Sequence, residues 1–387
     1  MFIKTIFSCA LTAALMSPAL AASQSGNARL GEAIFFDTSL SSPAGQSCAT
    51  CHDPKTAFSD PNRALPVSKG VLPGRVGSRN TPTAMYAAFS PAFHFDKKEG
   101  LHVGGQFLDG RAGTLEEQAK GPFLNPLEMA NPDKKAVVAK LRQAGYAPLF
   151  KEVFGQGALD NVDQAYDRMA EAIAAFERTP RFSPFSSKYD AYLAGKARLT
   201  DQELHGLRLF EDEKKGNCAA CHPSQPGPKG EPPLFTDFTY DNLGVPRNPD
   251  NPFYTLPKQL NPAGTAFVDR GLGAAVKKQS EDGKFKVPTL RNIALTAPYM
   301  HNGYFKTLRG TVVFYNDRDK KPLCDKNMVA EAEALKRKCW PAPEVITNVN
   351  KDELGDLKLT EREVDDIVAF MKTLTDGYGG KAAGVAK

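Results

Sequence analysis

Two five-residue strings constrain this chain more than any other feature: Cys48-Ala49-Thr50-Cys51-His52 and Cys218-Ala219-Ala220-Cys221-His222. Each is a C-x-x-C-H, the attachment signature of a c-type haem. The two thiols add across the porphyrin vinyl groups, the two-residue spacing lets one backbone turn reach both, and the following His lies under the iron. Zinc is the competing reading of paired C-x-x-C strings, but structural zinc ribbons bring their pairs together over much shorter separations. A thioredoxin-like redox pair needs a βαβ pattern, which this sequence lacks. The strings therefore point to two covalently attached haem c groups.

The compartment agrees with that chemistry. Lys4, an apolar run from Ile6 to Leu20, and Ala19-Leu20-Ala21 read as a cleaved secretory signal over residues 1–22. The run is too short to span a membrane and no later segment is long enough. A periplasmic location is expected. The remaining 365 residues (387 less 22) suit two domains. The net charge of +5 comes with no basic stripe interleaved with aromatics, so nucleic acid is not an expected partner. Of seven Cys, four anchor haem and Cys9 leaves with the signal. Cys324 and Cys339 remain, to pair as a structural disulfide in an oxidising compartment or to stay as free thiols.

Helical periodicity flanks both strings. Asn27 to Asp37 reads as a short helix, Thr114 begins another, and Val162, Ala165, Met169, Ile173 and Phe176 mark an amphipathic third with Met169 in the core. Thr200 with Glu203 and Thr360 with Glu363 are capping boxes. The second of these opens a terminal helix carrying Val364, Ile367, Val368, Met371 and Leu374. His205 reads as a surface residue. The segments 53–82 and 223–262 are dense in Pro, Gly and Asn and read as loop. The expected fold class is mainly α: two tandem cytochrome-c-like domains with long irregular loops, 23–183 and 184–376, followed by a flexible tail, 377–387. The terminal helix is free to fold back on the first domain.

Two further segments carry a more specific reading: Phe107-Leu108-Asp109-Gly110-Arg111-Ala112, followed by Thr114 to Ala119 and Asn125 to Met129, and Pro288-Thr289-Leu290-Arg291-Asn292 through Tyr299-Met300-His301-Asn302-Gly303. With the paired haem strings these closely resemble the bacterial dihaem cytochrome c peroxidase superfamily, which includes the MauG-type enzymes. The resemblance implies that the haem on Cys48, Cys51 and His52 meets hydrogen peroxide. It makes Glu128 the distal acid/base, Gln118 a distal polar group and Pro122 a neighbour of the open iron face. Splitting the O–O bond needs a proton moved between the two oxygens, and a carboxylate over the iron can move it. Asn80 and the backbone carbonyls of Thr296 and Pro298 match a calcium site, and hard oxygen donors suit Ca²⁺.

The resemblance also marks departures. Typical members carry a His on the loop before Asn80 that caps the first haem at rest. Here Gly70 to Gly74 has none, so that haem is expected to be open, with His94 and His102 as the residues that could be recruited instead. The sixth ligand of the second haem, on Cys218, Cys221 and His222, falls at Tyr315, where typical peroxidases have Met and MauG-type enzymes have Tyr. Met300 and Met328 are its substitutes if Tyr315 is core. A phenolate lowers the iron potential where a thioether raises it. His301 is expected to hydrogen-bond near the haems. The usual Trp between the haems is Leu108, and the surface Trp of MauG is Gly216; the single Trp, Trp340, has no mapped role. The implied activity is reduction of hydrogen peroxide with electrons from a small periplasmic donor protein, a cytochrome c or a cupredoxin. A MauG-like oxidase acting on a protein substrate and a non-catalytic electron carrier are the alternatives. Oligomeric state, monomer or homodimer, stays open.

Overall fold

A computed structural model describes residues 25–380. The expected signal and the tail beyond Gly380 lie outside the described residues.

Helices separated by long loops make up the described chain, which contains only two small two-stranded sheets. The first half contains α1 (Gly26–Phe35), a one-turn α2 (Cys48–Cys51), the hairpin β1 (His94–Asp96) and β2 (Leu101–Val103), α3 (Leu115–Leu124), α4 (Lys134–Gln143), α5 (Ala147–Phe154) and α6 (Val162–Glu177). The second half contains α7 (Lys188–Leu193), α8 (Asp201–Glu211), β3 (Tyr240–Asp241), α9 (Leu272–Val276), β4 (Phe285–Lys286), α10 (Leu308–Asp317), α11 (Glu331–Arg337) and α12 (Glu361–Lys372). Caps fix several starts. The Thr114, Thr200 and Thr360 hydroxyls accept from the backbone N–H three residues on, and the last two close full capping boxes with Glu203 and Glu363. Each such cap stabilises its helix by about 1 kcal/mol.

Two crossings organise the core, and they are copies of each other. In the first, α1 lies so close to α6 that a Cβ on Gly31 would sit 1.8 Å from the Ala172 carbonyl oxygen. In the second, α8 approaches α12 so that a Cβ on Gly206 would sit 1.9 Å from the Asp366 carbonyl oxygen. Only glycine permits either approach. One turn further on, Phe35 meets Phe176 edge-on at 5.4 Å, and Phe210 meets Phe370 edge-on at 5.2 Å. The apolar residues gather accordingly into one cluster from Leu30 to Phe182 and another from Tyr189 to Leu374. A small third cluster joins loops of the two halves through Val67, Val76, Phe253 and Tyr254.

Met169 is fully buried, as its helical spacing predicts. Cys324 and Cys339 form the disulfide. Trp340 beside it is core, edge-on to Phe314 at 5.2 Å, its indole N–H donating to Asp317. One expectation is corrected. The terminal helix α12 does not fold back over the first half; its main partners are α8 and α10, because its apolar face matches Leu207 and Phe210. Only the chain after it reaches across, through Asp376, which accepts from the Tyr86 hydroxyl at 2.8 Å. Tyr378, in the segment read as tail, donates its N–H to the Ser186 carbonyl. No described helix is long and apolar enough to cross a membrane.

Candidate functional site

The duplication extends to the two histidines. His52 Nδ1 lies 3.0 Å from the Phe58 carbonyl oxygen, and His222 Nδ1 lies 2.7 Å from that of Phe235. Both acceptors are phenylalanines with left-handed backbone, φ 52° and 54°, which turns their carbonyls inward. Burial lowers both imidazole pKa values, that of His222 to about 4, so both rings are neutral near neutral pH. A carbonyl can only accept, which places the single ring proton on Nδ1 and leaves the Nε2 lone pair free for a metal. The thiols beside them are pushed up by burial, to about 12 for Cys51, Cys218 and Cys221. They are protonated and unpaired, as vinyl addition requires and as zinc thiolates are not. This donor set fits covalent haem at both positions.

Around the first string stand Glu128 and a loop. The Glu128 carboxylate is close enough to Cys48 and Cys51 to raise both thiol pKa values. Its own pKa is raised by burial, against the pull of the Arg111 guanidinium and a 2.9 Å bond from Asn125 Nδ2. Gln118 and Pro122 share one face of α3, a turn apart, and the Pro122 carbonyl accepts from Met129 N–H. The Gly70 to Gly74 loop is fastened to this segment. Val71 N–H donates to the Glu128 carbonyl at 2.9 Å, and a Cβ on Gly70 would strike the Leu127 carbonyl oxygen at 2.3 Å. So the His-free loop from Gly70 to Gly74 is held against the backbone of Leu127 and Glu128 and offers no imidazole there. His94 is exposed on β1, and His102 on β2 stacks on Phe93. Their hairpin is tied at its base to the second half, where the Tyr240 hydroxyl donates to the Gly104 carbonyl at 2.5 Å.

Cys218, Cys221, His222, Tyr315 and Met300 line one cavity. Tyr315 lies on α10 with its hydroxyl 3.9 Å from Met300 Sδ, and the thiols of Cys218 and Cys221 help raise its pKa after burial itself. Met328 is 40% exposed and drops out as a substitute ligand. His205 is a surface residue bonded to Asp366 at 2.8 Å, not a ligand. Gly216, two residues before the second string, would place a Cβ 2.3 Å from the Leu209 carbonyl oxygen, so no side chain fits there without moving the backbone.

Asn80, Thr296 and Pro298, far apart in sequence, line one small cavity. Arg63 donates to the flanking carbonyls of Leu295 and Ala297, whereas those of Thr296 and Pro298 accept no hydrogen bond among the described residues. Their oxygens and the Asn80 amide oxygen are hard donors of the kind a Ca²⁺ ion takes, with the neighbouring guanidinium working against a cation there.

Sequence reading missed what lies between the halves. Arg79 forks onto Asp269 at 2.6 and 2.7 Å and onto Asp109 at 2.7 Å, and Arg111 takes the other Asp109 oxygen at 2.8 Å. The partners are up to 190 residues apart, so no local pattern signals them. His301, expected to hydrogen-bond near the haems, instead lies buried face to face on Phe285, ring centres 3.8 Å apart, with Nε2 3.5 Å from Glu344 and without a hydrogen-bond partner among the described residues. The half-buried Lys286 and the buried Glu177, both titratable, were also missed.

Comparison with known proteins agrees with this geometry. The family model for di-haem cytochrome c peroxidase matches residues 25–198. Methylamine utilization protein MauG of Paracoccus denitrificans is 43% identical over 357 residues, 90% of this chain and 88% of that one. Cytochrome c551 peroxidase of Nitrosomonas europaea is 33% identical, covering 90% of this chain and 79% of that one. The crystal structure of the diheme peroxidase BthA from Burkholderia thailandensis superposes with a TM-score of 0.76 at 34% identity, covering 93% of this chain and 88% of that one. The paired haem strings, the matched architecture and these relatives together make the chain an oxidoreductase acting on peroxide, a member of the di-haem cytochrome c peroxidase family.

Proposed function

We infer that this protein is a periplasmic peroxidase that reduces hydrogen peroxide at the first haem with electrons delivered through the second by a small redox protein. The observation that carries this reading is the first site: a half-buried Glu128 within electrostatic reach of both thiols, with a His-free loop fastened to its backbone. The haems, covalently held by Cys48 and Cys51 and by Cys218 and Cys221, supply the iron redox chemistry. His52 and His222 orient a free Nε2 toward the metal, and Tyr315 completes the second site. Glu128 accepts the proton of one peroxide oxygen and returns it to the other, so that water leaves. Asn125 holds its carboxylate in place, while Gln118 and Pro122 shape the space above it. Asn80 and the carbonyls of Thr296 and Pro298 would hold Ca²⁺, whose charge these hard oxygens suit.

Glu128→Gln tests the reading. Peroxide turnover should fall about 10²- to 10⁴-fold, the usual worth of a general acid/base, with both haems retained. Because burial raises the Glu128 pKa, the proton-accepting carboxylate is lost on acidification earlier than for an exposed residue. Wild-type turnover should therefore fall on the acid side, and the variant should lack that limb. Full activity in the variant would remove Glu128 from the mechanism.

A second reading, oxidation of Trp or Tyr side chains on a partner protein, is favoured by Tyr315 and by the 43% identity to a MauG protein. Against it stands Gly216, with no room for the surface Trp such transfer uses. Mixing the oxidised protein with peroxide in a stopped-flow instrument separates the two. Rapid return to the resting spectrum with a reduced small cytochrome supports the peroxidase; slow decay of a long-lived oxidised state supports the second reading.

A further inference from the structure

The cavity that holds the second haem string extends to a wall contributed by the first half, where Ser90, Gln106 and Leu108 face it. Lys286, on β4 of the second half, lies against that wall. Its backbone N–H donates to the Leu108 carbonyl at 2.8 Å, and its Nζ reaches the Gly105 carbonyl at 2.5 Å and the Ser90 hydroxyl at 3.4 Å. Both Nζ partners are neutral. The carboxylate that acts on it, Asp109, is already engaged by Arg79 and Arg111. Lys286 is thus a half-buried cation with no anion of its own, lining a cavity.

Such a group is costly unless a counter-charge meets it. Desolvation drags its pKa down to about 8 even against the pull of Asp109, so the bare site holds the charged ammonium only weakly. A c-type haem brings the missing partner. It carries two carboxylates on the edge of the ring opposite the vinyl-derived thioethers, and Cys218 and Cys221 fix the thioether edge. We propose that Lys286 is the anchor for a propionate carboxylate of the second haem, clamping that group against the Ser90–Gly105 segment of the first half. This rests on the reading that Cys218 and Cys221 hold a haem. Lys286 touches no reacting atom; it is a positioning residue, and its ammonium stabilises whichever charge state of the haem is more negative. It therefore favours the reduced iron and makes the second site easier to reduce.

The test is potentiometry of the purified dihaem protein, with the two haems resolved spectroscopically. Lys286→Gln should lower the potential of the second haem and leave that of the first unchanged, and Lys286→Arg should restore it. An unchanged second-haem potential in Lys286→Gln, or equal shifts of both haems, overturns the proposal. A free anion such as chloride or phosphate could meet the same ammonium, and then the wild-type potential would vary with that anion's concentration while Lys286→Gln would not; that result also overturns the propionate assignment. Should the Gln variant fold poorly, the wild type alone decides the matter. A propionate bending band of the second haem that moves on exchange into D₂O supports an N–H donor, and a band that stays fixed overturns it. Loss of the second haem altogether from wild-type protein would instead sink the underlying cofactor reading.

Discussion

Glu177 ends α6 with a carboxyl group that is only 7% exposed and makes no hydrogen bond or ion pair among the described residues. Its neighbour Arg178 is engaged elsewhere, 2.5 Å from Glu116. A helix C-terminus is also the wrong end for an anion. Burial moves the Glu177 pKa from 4.5 to about 8, with Arg178 pulling it down and Glu116 pushing it up. The folded state therefore keeps a proton that the unfolded chain releases. Below pH 4.5 both states are protonated and the residue costs nothing through this linkage. Between pH 4.5 and about 8 stability falls by up to about 1.4 kcal/mol per pH unit. The full loss, complete above about pH 8, is up to about 5 kcal/mol. Glu177→Gln replaces the acid with a neutral group of the same shape and removes the titration. Urea unfolding of the holo-protein, followed by far-UV circular dichroism at a series of pH values, reads the effect. Wild type and variant should nearly coincide near pH 4.5 and diverge steadily toward pH 8, with the variant more stable. Parallel stability profiles would mean that Glu177 is solvated or paired, and the reasoning from burial would be wrong.

Other consequences can be checked with similar means. Gly206→Ala and Gly31→Ala each drive a methyl group into a backbone carbonyl, which should cost at least about 1–3 kcal/mol, whereas Gly145→Ala, with nothing within 4 Å, should be near neutral in thermal unfolding. Replacing Cys324 and Cys339 by Ser opens a 15-residue loop and should lower unfolding free energy by about 3 kcal/mol. Tyr315→Phe should alter the optical and EPR spectra of one low-spin haem only, with Met300, 3.9 Å from the lost hydroxyl, supplying a thioether signature in its place. Chelation should lower the unfolding temperature of wild type but not of Asn80→Ala. The stabilisation at calcium 100-fold above its dissociation constant is about 2.7 kcal/mol.

The legible parts of the fold were those whose signals are local. The C-x-x-C-H strings, the capping boxes at Thr200 and Thr360 and the spacing of α6 each lie within a few turns of chain. The elements that escaped are those whose local pattern is ambiguous. In α10 the run Val312-Val313-Phe314 looks as much like a strand as a helix, and it is the packing of Phe314 on Trp340 and Phe305 that decides. The β1–β2 hairpin escaped because its strands are three residues each. Farthest from view was the charge network. Nothing near Arg79 in sequence announces Asp269, and nothing near Lys286 announces Ser90, because those pairings exist only once the halves have docked.

The docking itself follows from the duplication. Thr83 donates its hydroxyl proton to the Ala57 carbonyl, and Thr289 does the same to Leu234, each one residue before the phenylalanine that orients a histidine. Three residues beyond each threonine the backbone turns left-handed, at Tyr86 with φ 62° and at Asn292 with φ 61°. These two equivalent residues meet at a single carboxylate: Tyr86 Oη and Asn292 Nδ2 both donate to Asp376 Oδ2, at 2.8 and 2.7 Å. The two histidine frameworks are thus kept alike, down to the carbonyl that fixes each ring proton, and would offer two haem irons like ligands on that side. A difference in reactivity between them must then come from the opposite side. There equivalent helices carry different groups: α3, capped by Thr114 and packed on α6, has Pro122 eight residues after its cap and leads to Glu128 and the His-free loop, whereas α10, capped by Thr307 and packed on α12, has Tyr315 at that same offset. Equal support on one face and unequal groups on the other is how one repeated unit can give one site for peroxide and one for electrons.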